Sequence, residues 1–245
     1  MPDRRRVALV TGGAKRVGRA IVERLGAMGF AVAFTYLTSD RDAEALRSQL
    51  AERGIDTLPI KADLAEPENA VEQIDKAFGS WSSDLDVLVN NASLWLPGRL
   101  AETTPDILRK AYAVHVESPL LLCKTFANRL RRDGGGHVVN MVDLLAERPW
   151  PQYLAYCASK AALANLTLGL SRELAPQVTV NGIAPGVVQW PEDFPADERE
   201  KYLKRVPLQR EGTPADVANL VEFLVGKGSY ITGQIIRLDG GRSVT

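Results

Sequence analysis

Val7-Ala8-Leu9-Val10-Thr11-Gly12-Gly13-Ala14-Lys15-Arg16-Val17-Gly18 joins a short apolar run, a turn of small residues and the start of a helical stretch. An unbroken apolar run bounded by turn residues suits a strand buried on both faces. Residues 7–11 therefore read as a strand and residues 17–28 as a helix. The same alternation continues along the chain. Strands are expected at 31–36, 57–62, 85–90, 137–142, 178–183 and 234–238. Helices are expected at 42–52, 68–78, 106–131, 153–174 and 214–225, with a turn at Gly134-Gly135-Gly136. Regular strand–helix alternation predicts an α/β fold: a single-domain, Rossmann-type doubly wound parallel sheet with helices on both faces, spanning residues 1–245. Residues 189–205 differ in texture, with Trp190, Pro195 and many charges but no clean period, and read as a mobile flap over a pocket.

Bulk properties narrow the function. A chain of 245 residues with 45% hydrophobic content can bury one full core. Thirty basic residues balance thirty acidic ones, so no positive surplus is available for nucleic acid or an anionic membrane. Arg4-Arg5-Arg6 is followed by only four apolar residues, too few for a signal-peptide core, and no apolar run approaches a membrane span. Cys123 and Cys157 have no metal-ligand spacing. The expectation is a reduced, cytoplasmic protein without a metal site, nucleic-acid partner or membrane partner.

The turn at residues 11–18 can do more than reverse the chain. Small residues let the backbone approach a pyrophosphate, and the N-terminus of the next helix offers free N–H groups and partial positive charge. A merely tight βα turn would share these features, but its placement after the first strand favours nucleotide binding. Its spacing is not G-x-G-x-x-G, and Arg16 stands where a second glycine is expected. NAD-preferring sites place an acid about 20 residues further on. Here Phe34-Thr35-Tyr36-Leu37-Thr38-Ser39 has no acid before Asp40. Lys15, Arg16, Thr38 and Ser39 can instead receive a 2′-phosphate, which favours NADPH over a reading of these residues as solvated surface. Asp63 is placed either to bond the adenine edge or to cap a helix. Asn90-Asn91-Ala92 closes the fourth strand on the side where open α/β sheets bind ligands.

Tyr156-Cys-Ala-Ser-Lys160 places a phenol and an ammonium on one helix face. A cation beside a tyrosine is expected to lower its pKa from about 10, giving a proton donor suited to reducing C=O or C=N bonds. Asp143 precedes Tyr156 by 13 residues. Its alternatives are a turn cap and a catalytic carboxyl.

In this order, the motifs resemble those of the short-chain dehydrogenase/reductase family: Thr11-Gly12…Gly18, Asp63-Leu64, Asn90-Asn91-Ala92, Tyr156…Lys160, Asn181…Pro185-Gly186 and Asp239-Gly240-Gly241. The resemblance covers nearly the whole chain. It implies a nicotinamide cofactor held by Gly12, Lys15, Arg16, Val17, Thr38, Ser39, Asp63, Leu64, Asn91, Ala92, Ser93, Tyr156, Lys160, Pro185 and Gly186. It further implies proton donation by Tyr156, Lys160 binding the ribose while lowering the Tyr156 pKa, and a homotetramer built partly from the two long helices, with Asp143 as a catalytic carboxyl at the place of the family's catalytic serine.

Three departures narrow the resemblance to pteridine reductases and, with Trp95 and the segment His115-Val116-Glu117-Ser118-Pro119, to bacterial dihydromonapterin reductases. Arg16 replaces the middle glycine, Asp143 replaces the usual serine, and Tyr153 lies three residues before Tyr156. The implied substrate is a dihydropterin such as dihydromonapterin or dihydrobiopterin, and dihydrofolate. It would be stacked against Trp95 and touched by Arg16, Ser93, Asp143, Tyr153 and Tyr156. His115 stands where the family has an asparagine in a proton relay. It reads either as a replacement that titrates near neutral pH or as a satisfied helix-interior histidine. Trp95 and Tyr153 have packing as their alternative, Trp150 and Trp190 can touch substrate or a neighbouring subunit, and Cys157 reads as packing. Two competing functions are a carbonyl reductase acting on 3-oxoacyl thioesters and a catalytically silent NADPH-binding sensor.

Overall fold

The structure is a computed structural model that describes residues 5–131, 135–190 and 194–245. Arg4, Gly134 and residues 191–193 of the expected flap lie outside the described residues. The strands are β1 Arg6–Val10, β2 Phe30–Tyr36, β3 Thr57–Lys61, β4 Val87–Asn90, β5 Gly136–Met141, β6 Val178–Pro185 and β7 Ile235–Leu238. All pair in parallel, in the order β3-β2-β1-β4-β5-β6-β7. The order reverses between β1 and β4, where open α/β sheets form a crevice at the carboxyl ends of their strands. The helices are α1 Arg16–Ala27, α2 Asp40–Glu52, α3 Pro67–Trp81, α4 Pro105–Tyr112, α5 Ser118–Leu130, α6 Leu154–Glu173, α7 Ala196–Leu203 and α8 Pro214–Gly226. Apolar side chains bury both faces of the sheet. Val7, Leu9 and Leu88 pack beneath α3 and α5 with Ile74, Phe78 and Phe126, whereas Ala8, Val10 and Val89 pack beneath α1 and α8 with Ile21, Leu25 and Val221. Burial on both faces explains why the central strands are continuously apolar rather than alternating.

The helix expected over 106–131 is interrupted. Between α4 and α5 the backbone opens into a π turn over Ala113–Glu117. Pro119 has no N–H to donate and sits in the first turn of α5, so the ladder of a continuous helix cannot pass through it. The wider turn directs His115 into the interior, where it is almost fully buried. The segment 189–205, expected to lack periodicity, contains the regular helix α7.

Candidate active site

β4 and β5 end side by side, with Asn90 opposite Asn140. α6 packs on β6 and on the short 3₁₀ turn Leu144–Ala146 that follows β5, which buries Tyr156 and Lys160 one turn apart. Asp143 leaves β5 with an extended backbone. Its Oδ1 accepts from the Leu145 N–H at 2.8 Å and its Oδ2 from the Tyr156 hydroxyl at 2.7 Å. The carboxyl therefore serves as turn cap and as partner of the phenol at once. Lys160 Nζ donates to the Met141 carbonyl at 2.7 Å and stands 5.7 Å from the Tyr156 ring centroid. Burial lowers the Lys160 pKa to about 8, with the Asp143 charge opposing the shift.

The expected lowering of the Tyr156 pKa does not hold. Burial raises the phenol well above its ordinary range, and the Asp143 charge and hydrogen bond add to the rise. The lysine is drawn to a backbone carbonyl, while the group bonded to the phenol is a carboxyl. Burial also raises Asp143 above the ordinary carboxylate range, opposed by its hydrogen bonds and by Lys160. Tyr156 is thus a firmly protonated phenol at neutral pH, hydrogen-bonded to a carboxyl with raised proton affinity.

His115 ties three segments together. Its Nε2 accepts from the Leu94 N–H at 3.0 Å and lies 3.0 Å from Ser93 Oγ, while Nδ1 lies 2.8 Å from Ser159 Oγ. Acceptance from a backbone N–H requires the lone pair at Nε2, so the proton sits on Nδ1 and is donated to Ser159. Ser159 in turn donates to the Tyr156 carbonyl at 2.8 Å. Burial, aided by the Lys160 charge, lowers the His115 pKa to about 2. The imidazole stays neutral, so the reading as a satisfied interior histidine holds and the one as a group titrating near neutral pH does not.

One cavity of about 620 Å³ runs along the carboxyl ends of the strands. At one end Gly12, Lys15, Arg16, Val17, Asp63, Leu64, Asn91 and Ala92 line it, and Ser93, Pro185 and Gly186 line it further along, Gly186 beside the Tyr202 hydroxyl. Gly12 has φ +64°, and a Cβ on Gly18 would run into the Gly12 carbonyl oxygen and the Asn91 side chain. Asn91 Nδ2 holds the turn by donating to the Thr11 and Gly12 carbonyls at 2.8 and 3.1 Å. α1 begins without a side-chain cap or an acid in its first turn. Its N–H groups are thus free for an anion, and the close backbone suits a pyrophosphate. Arg16 has φ 54°, in the left-handed region that favours glycine. Its guanidinium donates to the Gln189 and Trp190 carbonyls at 2.9 and 3.4 Å, linking the turn to the segment beyond β6.

At the other end Trp95 packs edge-on to Tyr156, with ring centroids 4.7 Å apart. Trp150, Trp190, Phe194, Tyr202, Arg148 and Arg242 complete that wall. The loop carrying Trp95 is anchored to the start of α6 by the Gly98 N–H, which donates to the Gln152 carbonyl at 2.7 Å. Among the described residues, no group of three or more His, Cys, Asp or Glu side chains is placed to hold a metal, and no helix is long and apolar enough to cross a membrane.

A family model described as "Enoyl-(Acyl carrier protein) reductase" matches residues 12–243. The chain belongs to the short-chain dehydrogenase/reductase family. This reductase is 34% identical to "Pteridine reductase 1" of Leishmania tarentolae, over 98% of this chain and 96% of the relative. It is 33% identical to the 3-oxoacyl-[acyl-carrier-protein] reductase FabG of Staphylococcus aureus, over 96% of each. The crystal structure of the FolM alternative dihydrofolate reductase 1 of Brucella canis, complexed with NADP, superposes with a TM-score of 0.88 at 33% identity, covering 98% of this chain and 94% of that one. The reductase is accordingly an enzyme, an oxidoreductase of a family whose members carry a nicotinamide cofactor.

Most of the residues singled out in the sequence converge on the cavity, but three do not line it. Thr38 and Ser39 fall outside the lining, where the chain turns to begin α2, and Tyr36 and Leu37 form the wall instead. Tyr153 stands behind Trp95, with ring centroids 4.1 Å apart, and supports that ring rather than facing the cavity. Lys15 lines the cavity, though its Nζ is paired with Asp42 at 2.9 Å. Asp63 lines the cavity and also accepts from the Ala65 N–H at 2.9 Å as a turn cap. Sequence reading missed Arg148, Tyr202 and Arg242. Tyr202 has a faint signal in the aromatic content of residues 189–205; the two arginines have none.

Proposed function

We propose that this oxidoreductase reduces a dihydropterin to a tetrahydropterin, on dihydromonapterin, dihydrobiopterin or dihydrofolate, with NADPH as cofactor. The observation that carries the reading is the 2.7 Å hydrogen bond from Tyr156 to Asp143, a carboxyl where the family resemblance expects a serine. A carboxyl can accept hydrogen bonds from the N–H groups of a pterin and can hold a proton in reserve. A neutral hydroxyl better suits a carbonyl oxygen gaining negative charge. The similarity to pteridine reductase 1 supports the same reading.

NADPH supplies hydride to the ring when bound. Gly12, Gly18 and the N-terminus of α1 fit its pyrophosphate, Lys15 and Arg16 its 2′-phosphate end, and Asn91, Ala92, Pro185, Gly186 and Lys160 the remaining length. Trp95 forms a flat wall for the pterin. Tyr156 Oη gives its proton to the ring nitrogen next to the carbon being reduced. Asp143, bonded to the phenol, is the route by which a proton returns from solvent to Tyr156, and Lys160, held on the Met141 carbonyl, fixes the end of β5 beside them. His115 holds Ser93 and the backbone of Leu94, and through them the Trp95 loop, against α6. We further propose a cytoplasmic homotetramer; Leu108 on α4, Leu120 on α5 and Leu168 on α6 expose apolar surface that fits such contacts.

The test is NADPH oxidation by purified protein, with the three pterins and an acetoacetyl thioester side by side. Pterin turnover with a silent thioester is expected. The similarity to FabG supports a second reading, 3-oxoacyl thioester reduction, and thioester turnover with silent pterins would establish it instead.

A further inference from the structure

Arg242 is not used by the proposed chemistry. It begins the short 3₁₀ turn Arg242–Val244 after β7 and lines the same cavity as Asp143 and Tyr156. Its Nε is buried without a hydrogen-bond partner, and its Nη1 reaches only Thr245, at 3.4 and 3.5 Å. Among the described residues no carboxylate side chain pairs with it. Arg148 keeps the turn against the cavity: its Nη1 donates to the Arg242 carbonyl at 3.1 Å and to a Thr245 oxygen at 2.6 Å. The Arg242 guanidinium also lies 5.5 Å from the Tyr202 ring centroid.

The contacts of the Arg242 Nη1 to Thr245 are long, so where the side chain lines the cavity the guanidinium charge is held only loosely and can turn to an anionic ligand. The position in the sheet narrows what that is. Arg242 follows β7, at the edge opposite β2 and β3, whereas the phosphate-accepting turn lies between β1 and α1. The phosphates of a dinucleotide on α1 therefore belong to the other end of the cavity. The wall next to Arg242 is aromatic, with Tyr202 beside the guanidinium and Trp150 6.2 Å from the Tyr202 ring, in the same lining as Asp143. Such a wall accepts a flat ring and an apolar spacer, with hydrogen-bond donors of the ring at the carboxyl and negative charge at the guanidinium.

We infer that Arg242 forms an anion subsite that favours pterins with a negatively charged tail over those with a neutral polyol side chain. This rests on the proposed pterin reduction and specifies its substrate class. The anion is a tail carboxylate, as in dihydrofolate, or a phosphate ester, as in dihydroneopterin phosphate.

The experiment compares kcat/KM for neutral dihydromonapterin, dihydrofolate and dihydroneopterin phosphate, in the wild type, Arg242→Gln and Arg242→Lys. A charge-assisted hydrogen bond of ordinary strength predicts that Arg242→Gln lowers the ratio of anionic to neutral kcat/KM about tenfold or more, through KM. Arg242→Lys keeps the charge and should restore part of that ratio. In the wild type, added salt should weaken turnover of the anionic substrate more than of the neutral one. The arm that loses the ratio identifies the anion. An unchanged ratio in both anionic arms overturns the subsite, as does wild-type turnover of the neutral pterin alone. If no pterin oxidises NADPH while the thioester does, the pterin reading itself fails and the subsite with it, an outcome distinct from either of the others.

Discussion

The two ends of the cavity are built by different means. The end at β1 and α1 is made of backbone: a left-handed Gly12, a Gly18 with no room for a Cβ, and uncapped helix N–H groups. The end at β5 and β7 is made of side chains from distant segments, where Trp95, Asp143, Tyr156, Tyr202 and Arg242 meet across the fold. A backbone cradle depends on a few consecutive residues and suits a ligand part that never varies. A side-chain wall can be altered one residue at a time and suits the part that sets specificity.

Substitutions can break or sharpen this contrast. Tyr156→Phe removes the proton donor at the side-chain end, and kcat for the pterin should fall by about 10² to 10⁴, the usual range for a positioned general acid. Full turnover by this variant, measured in the NADPH oxidation assay, would exclude the assigned chemistry. Asp143→Ser restores the residue type expected from the family resemblance. Pterin kcat/KM should drop by about a hundredfold, at the lower end of that range, while turnover of an acetoacetyl thioester should not fall in parallel. A parallel loss would show that the carboxyl serves structure more than substrate choice.

Gly18→Ala tests the backbone end. The added methyl meets a fixed carbonyl, and such overpacking destabilises by about 1–3 kcal/mol. A lower melting temperature and weaker NADPH binding by fluorescence titration are expected, with the preference among pterins unchanged. A shifted preference would mean that the two ends are coupled.

The remaining prediction is pH-dependent and concerns His115, which is neutral in the fold, with its pKa lowered to about 2. The unfolded chain binds a proton there below its ordinary value of 6.5, whereas the folded chain does not until pH nears 2. Between these limits the unfolded state holds more protons, so folding stability falls as the pH is lowered, by up to about 1.4 kcal/mol per pH unit from this group. His115→Asn should be less stable than the wild type at about pH 7, where it loses the clamp, but should lose less stability as the pH falls from about 6 to about 4. Equal acid slopes in chemical denaturation would show that His115 is not buried neutral.

Legibility follows the same division. The turn at 11–18 and the Tyr156–Lys160 pair are readable because each depends on neighbours a few residues apart. The direction of the Tyr156 shift is not, since an i, i+4 spacing brings the lysine near but does not reveal that Met141 offers its nitrogen a carbonyl and that Asp143 bonds the phenol. Tyr153 shares a segment with Tyr156, yet the loop anchored at Gly98 places Trp95 in front of it. The break in the helix over 106–131 has a local sign in Pro119, but the inward turn of His115 does not.

By itself the sequence determined the alternation of strands and helices, the parallel sheet that follows from it, the glycine turn and the residue types available for proton transfer. Those properties come from periodicity and short-range sterics. Tertiary structure alone decided the strand order, the neutrality of His115, the raised pKa values of Asp143 and Tyr156, and the arrival of Arg242 at the cavity. Each of these depends on burial and on contacts between segments far apart in the chain, and none is set by local spacing.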